Sequence, residues 1–188
     1  MSIEKKEGEP QIKIVPATSE DVRGATEVYY KTWLATYPNE VAGVTTEDVE
    51  TQFKGAFTPD GLAERTERMV HPPENRSFFL AKDGDKVVGV CSVTRHPDKN
   101  QLQSIYVLPE YQRKGVGALL WQEAQTHFDA DKDIVASVVA YNENAIEFYQ
   151  RLGFEKVEKQ GPNETIRLKS GVFLPETEMI IKAQKSKA

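Results

Sequence analysis

The stretch Gln112-Arg113-Lys114-Gly115-Val116-Gly117 concentrates residue types that can hold an anion. Gly115 and Gly117 let a backbone come close to a bulky ligand. A run of helix formers starts at Ala118, and the first N–H groups of such a helix lack intrahelical partners and lie at its positive end. Phosphate oxygens suit that place, and Arg113 and Lys114 add two charges beside it. The plain alternative is a tight strand-to-helix turn with a solvated surface pair. Two known phosphate loops do not fit. No G-x-x-x-x-G-K-[ST] is present, no third glycine completes G-x-G-x-x-G, and no acidic residue about 20 positions on ends a second parallel strand. Metal chemistry is not expected: His71 and His96 each precede a proline, His127 falls in a helical stretch, and no two share ligand spacing. Cys91, the one cysteine, sits in the apolar run Val87–Val93 and reads as a small core residue rather than a nucleophile.

The elements around this loop follow from periodicity. Gln101 to Val107 alternates apolar residues with β-branched and aromatic types and predicts a strand, broken at Pro109. A helix over 115–130 follows, with Leu119, Leu120, Ala124 and Phe128 as its apolar stripe. Upstream, strands are expected at Gln11 to Val15, Arg76 to Lys82 and Lys86 to Arg95, the last two joined by an Asp83-Gly84 hairpin turn. Helices are expected at Glu20 to Thr36, capped by Thr18 or Ser19, at Thr45 to Gly55 and at Leu62 to Val70, with Thr58-Pro59-Asp60-Gly61 read as a turn. Downstream, Asp133 to Ala140 predicts a strand buried on both faces. A helix capped by Asn142 runs through Arg151 and is stopped by Gly153. Phe154 to Lys159 and Glu176 to Lys182 read as a closing antiparallel pair, with a short strand at Ile166 to Leu168 between them.

The chain has 188 residues, enough for one domain with a full core. Residues 1–10 read as a disordered lead-in and 184–188 as a polar tail, leaving a single domain over 11–183. No apolar run reaches membrane-span length, and the charged N-terminus lacks the apolar region of a secretory signal, so a cytoplasmic protein is expected. A net charge of −5 argues against nucleic-acid binding and agrees with a cationic small molecule as partner. A mixed α/β (α+β) sheet with helices on both faces is the expected architecture.

Two longer runs carry a resemblance. Ile105-Tyr106-Val107-x-Pro109-x-Tyr111-Gln112-x-x-Gly115-x-Gly117-x-x-Leu120 is followed, after one further strand, by Asn142-x-x-Ala145-x-x-Phe148-Tyr149-x-x-x-Gly153-Phe154. Together they resemble the GNAT superfamily of N-acetyltransferases. The resemblance implies a mixed central sheet of six to seven strands, mostly antiparallel, whose central strands splay apart to admit acetyl-CoA as co-substrate, with no metal. It implies that the pyrophosphate sits on backbone N–H groups of Arg113, Lys114, Gly115, Val116, Gly117 and Ala118, next to Gln112. The pantetheine arm would pair with Ile105, Tyr106 and Val107 as an added strand, and an N–H near Val107 would face the thioester carbonyl.

Acyl transfer to an amine needs a held cofactor, a polarised carbonyl, a deprotonated amine and a stabilised leaving thiolate. By the resemblance, Tyr149 is the general acid for the thiolate, and Asn142 bonds the pantetheine, with helix N-cap as its plain reading. The deprotonated amine is the unmet need: Gln101-Leu102-Gln103-Ser104 carries no carboxylate and Ser137 is the polar residue of the next strand, so either a water relay through Gln103, Ser104, Ser137 or a carboxylate of the 37–50 region (Glu40, Glu47, Asp48) serves or the amine arrives neutral, and no base is assigned. Trp33 and Tyr37, four apart on one helix face, are either core packing or an aromatic wall of the acceptor pocket, and Gln103 is a further acceptor-side candidate. The expected function is acetyl transfer to a small amine, in the manner of the bacterial polyamine acetyltransferases, which the Thr32-Trp33-x-x-Thr36-Tyr37 segment resembles. The expected partners are that amine and a second copy of the chain, without nucleic acid or membrane. Acetylation of a protein or peptide amine, a non-catalytic coenzyme A-binding module, and a nucleotide-binding protein are the competing expectations.

Overall fold

The alternating and β-branched runs form one sheet in the order β1-β2-β3-β4-β5-β8-β6, with β7 paired to β8. Its members are β1 (Ile12–Pro16), β2 (Arg76–Asp83), β3 (Lys86–Arg95), β4 (Asn100–Val107), β5 (Ile134–Val139), β6 (Glu155–Lys156), β7 (Thr165–Arg167) and β8 (Phe173–Ile181). The computed structural model describes residues 11–158 and 165–183; the expected lead-in, the polar tail and residues 159–164 lie outside them. Eight strands replace the expected six to seven, because the long β8 carries both short strands, β6 on residues near its end and β7 on its beginning. All pairs are antiparallel except β4 with β5.

The helices are α1 (Val22–Thr36), α2 (Thr46–Phe53), α3 (Pro59–Val70), α4 (Val116–Gln125) and α5 (Glu143–Arg151). Every residue of β3 from Val87 to Thr94 is buried, so both faces of the sheet are covered there. Gly24 of α1 lies against Val87, and Leu120 of α4 lies over Gly89. Leu80, Leu102 and Leu120 are sealed in this core, each contributing about 2 kcal/mol through burial.

Two boundaries and one buried stripe differ from expectation for identifiable reasons. Thr58-Pro59-Asp60-Gly61 is the start of α3: the Thr58 hydroxyl accepts from Gly61 N–H at 3.2 Å, and Pro59 occupies the first helical position, where its missing N–H costs nothing. The helix expected over 115–130 stops at Gln125, and Asp129 is instead held by the Asn100 side chain. The buried stripe of α4 is Val116, Leu120, Trp121 and Ala124, while Leu119 is exposed.

The entry to α1 is fixed by an ion pair. Asp21 is buried, and its carboxylate lies 2.6 Å from Lys82 Nζ on β2 and accepts from the Thr18 hydroxyl and N–H. Burial opposes the charge, but the Lys82 ammonium and the two Thr18 donors outweigh it and hold the Asp21 carboxyl below the usual aspartate range. A depressed pKa gives stability that is complete above the unfolded-state value and lost as pH falls through the folded one. Asp21→Asn is therefore expected to lower stability at pH 7 by about 2 kcal/mol and to flatten the loss of stability below pH ~4, as read by urea unfolding across pH.

Candidate active site

The sheet opens where β4 leaves β5. These strands pair only at Asn100↔Ile134, Gln101↔Val135 and Leu102↔Ala136. Beyond Leu102 the β4–β3 register shifts: Ser92 pairs Ser104 and Val93 pairs Leu102, which leaves Gln103 as a bulge. A bulge kinks its strand and increases its twist, and here it coincides with the point of separation. Among the described residues, Gln103 to Val107 consequently have no strand partner on their β5 side, whereas Ser137 to Val139 pair only with β8. The unpaired edge of β4 points toward the loop after it.

That loop combines strain with free donors. Arg113 (φ 59°) and Gly115 (φ 82°) are left-handed, a conformation that costs a non-glycine residue about 1 kcal/mol. Among the described residues no backbone hydrogen bond uses the N–H of Arg113 to Ala118; the first α4 bond runs from Leu119 N–H to Gly115 C=O. Six consecutive donors thus converge at a helix start. Gln112 ties the loop to the strand by donating from Nε2 to the Val107 carbonyl at 3.0 Å. Lys114 and Lys86 both lie over the Tyr111 ring, 5.2 and 5.0 Å from its centroid. The two glycines have separate reasons. Gly115 needs its left-handed φ, with open space around it; Gly117 sits where a Cβ would lie 3.1 Å from the Phe148 ring, so it admits α5 rather than open space.

Helix α5 starts as the sequence indicates, with Asn142 Oδ1 accepting from Ala145 N–H at 3.1 Å. Tyr149 is buried, edge-on to Phe148 and Phe154. Its hydroxyl has no hydrogen-bond partner among the described residues and is not sealed from solvent. Burial above all, then the neighbouring Tyr106 and Cys91, push this hydroxyl well above the ordinary tyrosine pKa. The hydroxyl stays protonated at neutral pH.

On the other face of the sheet, a second apolar cluster joins the end of α1 to α2, β5 and β8 through Tyr37, Phe53, Val139 and Leu174. Trp33 packs edge-to-face on Tyr37 at 4.8 Å and on Phe53 at 5.4 Å. The Tyr37 and Tyr106 hydroxyls bond each other at 2.9 Å, and Tyr29 bonds Ser104 at 2.8 Å. The Trp33 indole N–H, beside Tyr106, is buried without a well-formed bond. Trp33 and Tyr37 therefore share a face and converge with Tyr106, as a packed wall. Gln103 is exposed and donates to Gln101 Oε1 at 3.0 Å, which also meets His96. Ile105 is half-buried and Val107 buried along the same strand.

Glu176 escaped the sequence reading. It pairs with Val139 across β5 and β8, so it shares the face of the Tyr37 cluster. It lies 37 residues beyond the end of β5, only the register of β8 places it there, and nothing local in the sequence reports that register.

The acetyltransferase (GNAT) family model matches residues 27–154, well over half of the chain. Mycothiol acetyltransferase of Rhodococcus jostii is 33% identical over 114 residues, 55% of this chain and 37% of that protein. An uncharacterized N-acetyltransferase of Chlorobaculum tepidum is 29% identical over 86 residues, 45% of this chain and 54% of that one. The matched segments thus span about half the length, or less, of these curated relatives. Among solved structures, PaiA N-acetyltransferase of Thermoplasma acidophilum in complex with coenzyme A superposes with a TM-score of 0.70 at 20% identity, covering 92% of this chain and 99% of that one. The ribosomal-protein-S18-alanine N-acetyltransferase of Escherichia coli gives 0.59 at 16% identity, covering 94% and 96%. At these identities the likeness establishes the fold.

Proposed function

The chain belongs to the acetyltransferase (GNAT) family, a family of acyltransferase enzymes, and we propose that it moves an acetyl group from acetyl-CoA to the primary amine of a small cationic molecule, a polyamine being the favoured acceptor. The observation that carries this reading is the unpaired edge of β4 running into six free N–H groups. An extended chain ending in phosphates fits that sequence of donors, pairing first as an added strand and then on a helix start. Ile105, Tyr106 and Val107 would hold the pantetheine, Arg113 to Ala118 the pyrophosphate, and Asn142 the arm's amide with the side-chain NH2 that its capping bond leaves free. Acetyl-CoA, when bound, supplies an activated acetyl thioester.

The remaining chemistry belongs to this chain's own residues. Tyr149 holds a proton on a hydroxyl that burial keeps neutral, available to a leaving thiolate. Trp33, Tyr37 and Tyr106 form the aromatic wall on the acceptor side, where ring faces favour a cation. The net charge of −5 favours the approach of such a molecule. We assign the reaction to one domain over 11–183 working in the cytoplasm; among the described residues no helix is long and apolar enough to cross a membrane.

The test is free-thiol release from acetyl-CoA with spermidine, a set of amino acids and a short peptide as acceptors. Turnover led by spermidine is the expected result. Turnover led by the peptide moves the acceptor to a protein amine. Tight coenzyme A binding without turnover on any acceptor makes the chain a binding module instead.

A further inference from the structure

We propose that Glu176 is the carboxylate that receives the acceptor's ammonium and takes its proton, filling the place of the base that β4 lacks. The inference rests on the acetyl-transfer reading above. Its geometry is that of the sheet. Glu176 pairs with Val139 at the end of β5 that has parted from β4. Paired residues share a face, and Val139 packs in the cluster of Tyr37, with Trp33 and Tyr106 against it. Glu176 is half-buried, between the sealed Leu174 and Thr177. Its charge reaches the site: behind burial, Glu176 is among the groups that raise both the Tyr37 and the Tyr106 hydroxyls, although Tyr106 raises Tyr37 while the hydrogen bonds of Tyr106 to Tyr37 and Trp33 act against its own rise.

Among the described residues, tyrosines and two further carboxylates share this space. Tyr37, Tyr106 and Tyr149 face the opening from α1, β4 and α5, and Tyr141 donates its hydroxyl to the Tyr37 carbonyl at 2.7 Å. Glu178, opposite Ser137, lies two residues farther along the same face, and Glu155, opposite Ile180, beyond it. The tyrosines are pushed upward by burial and stay neutral near pH 7. Of these groups Glu176 stands nearest the end of β5, so it is the proton acceptor there. The proton passes from the nitrogen of the ammonium to a carboxylate oxygen, leaving a neutral amine whose lone pair forms the new bond to the acetyl carbon as the carbon–sulfur bond breaks. Tyr149 gives its hydroxyl proton to the leaving thiolate, the second proton lost from that nitrogen restores the Tyr149 phenol, and Glu176 returns its proton to water.

Glu176→Gln keeps the shape and removes the base. With spermidine as the amine, kcat/KM at pH 7 is expected to fall on the order of 10²-fold. The deficit should shrink above pH ~9, where the free amine loses its proton unaided. Glu176→Asp should recover part of the loss, and Glu178→Gln should stay within about threefold of wild type. Calorimetric titration of spermidine into the protein without acetyl-CoA should show binding weakened about tenfold or more in Glu176→Gln. Wild-type activity with an unaltered pH profile in Glu176→Gln, or a loss confined to Glu178→Gln, would overturn the inference. If the wild type turns over no amine, the acetyl-transfer reading falls, and the titration still decides on Glu176: equal spermidine affinity in wild type and Glu176→Gln refutes its role, and weakened affinity sustains it as the ammonium's partner.

Discussion

Tyr149→Phe should lower kcat on the order of 10²-fold while leaving thermal stability unchanged. These two effects rarely go together, and their combination follows from the state of one hydroxyl. The ring is fixed by Phe148 and Phe154, and phenylalanine preserves both contacts. The hydroxyl has no partner among the described residues, so its removal breaks no bond to them. A structural tyrosine would show the reverse pattern, with stability lost and activity largely kept. The measurement is single-turnover thiol release beside a thermal melt. Equal kcat in the variant would reassign proton donation to another group, with water admitted at the opening as the first candidate. The pH profile gives a second check. Because burial holds the phenol well above its ordinary pKa, loss of activity from Tyr149 ionisation should not appear on the alkaline limb through pH ~10.

Asn100→Ala is expected to cost ~3 kcal/mol, the largest effect on stability from a single polar side chain here. Asn100 is fully buried. Its Nδ2 donates to the Asp129 and Lys132 carbonyls at 2.8 and 3.3 Å, and its Oδ1 accepts from Asp129 N–H at 3.0 Å. Its own N–H donates to the Asp133 carbonyl. One side chain thus closes the connection that brings the chain from α4 back to β5 and fixes the first rung of the parallel β4–β5 pairing, Asn100↔Ile134. Removing it leaves three backbone groups unsatisfied. The variant should also lose acetyl transfer more than it loses coenzyme A affinity, since the splay beyond Leu102 is set from this rung while the loop at 113–118 is not. Urea unfolding and coenzyme A titration on the same preparation test both statements. A stability change below ~1 kcal/mol would mean that water replaces the amide without penalty.

Much of this arrangement was legible in the sequence, in places where local chemistry decides the structure. The strand to Val107, the break at Pro109, the glycine at 115 and the cap at Asn142 each depend on neighbours within a few residues, and the elements lie where those residues require. Gly117 was legible as a glycine but not in its reason, because Phe148 reaches it from another helix. The end of α4 was misjudged because Phe128 extends the apolar spacing, whereas a partner far off in sequence, Asn100, holds the chain at Asp129. The Gln103 bulge has no signature at all in Gln101-Leu102-Gln103-Ser104; it exists only in the pairing with β3. Glu176 was missed for the same cause. A carboxylate's place in a site depends on strand register, and that register is set by Leu174 and Met179 finding the interior.

The contact between Gly117 and Phe148 has a consequence for how this chain can change over evolutionary time. The loop and the helix bearing Tyr149 are far apart in sequence, yet a single methyl group added at 117 would press on the ring beside Tyr149. The two segments should therefore accept substitutions as a pair. Relatives with a larger residue at the position of Gly117 are expected to carry a smaller one at that of Phe148. A library randomised at both positions should recover active variants along that size trade and lose those in which both side chains are large.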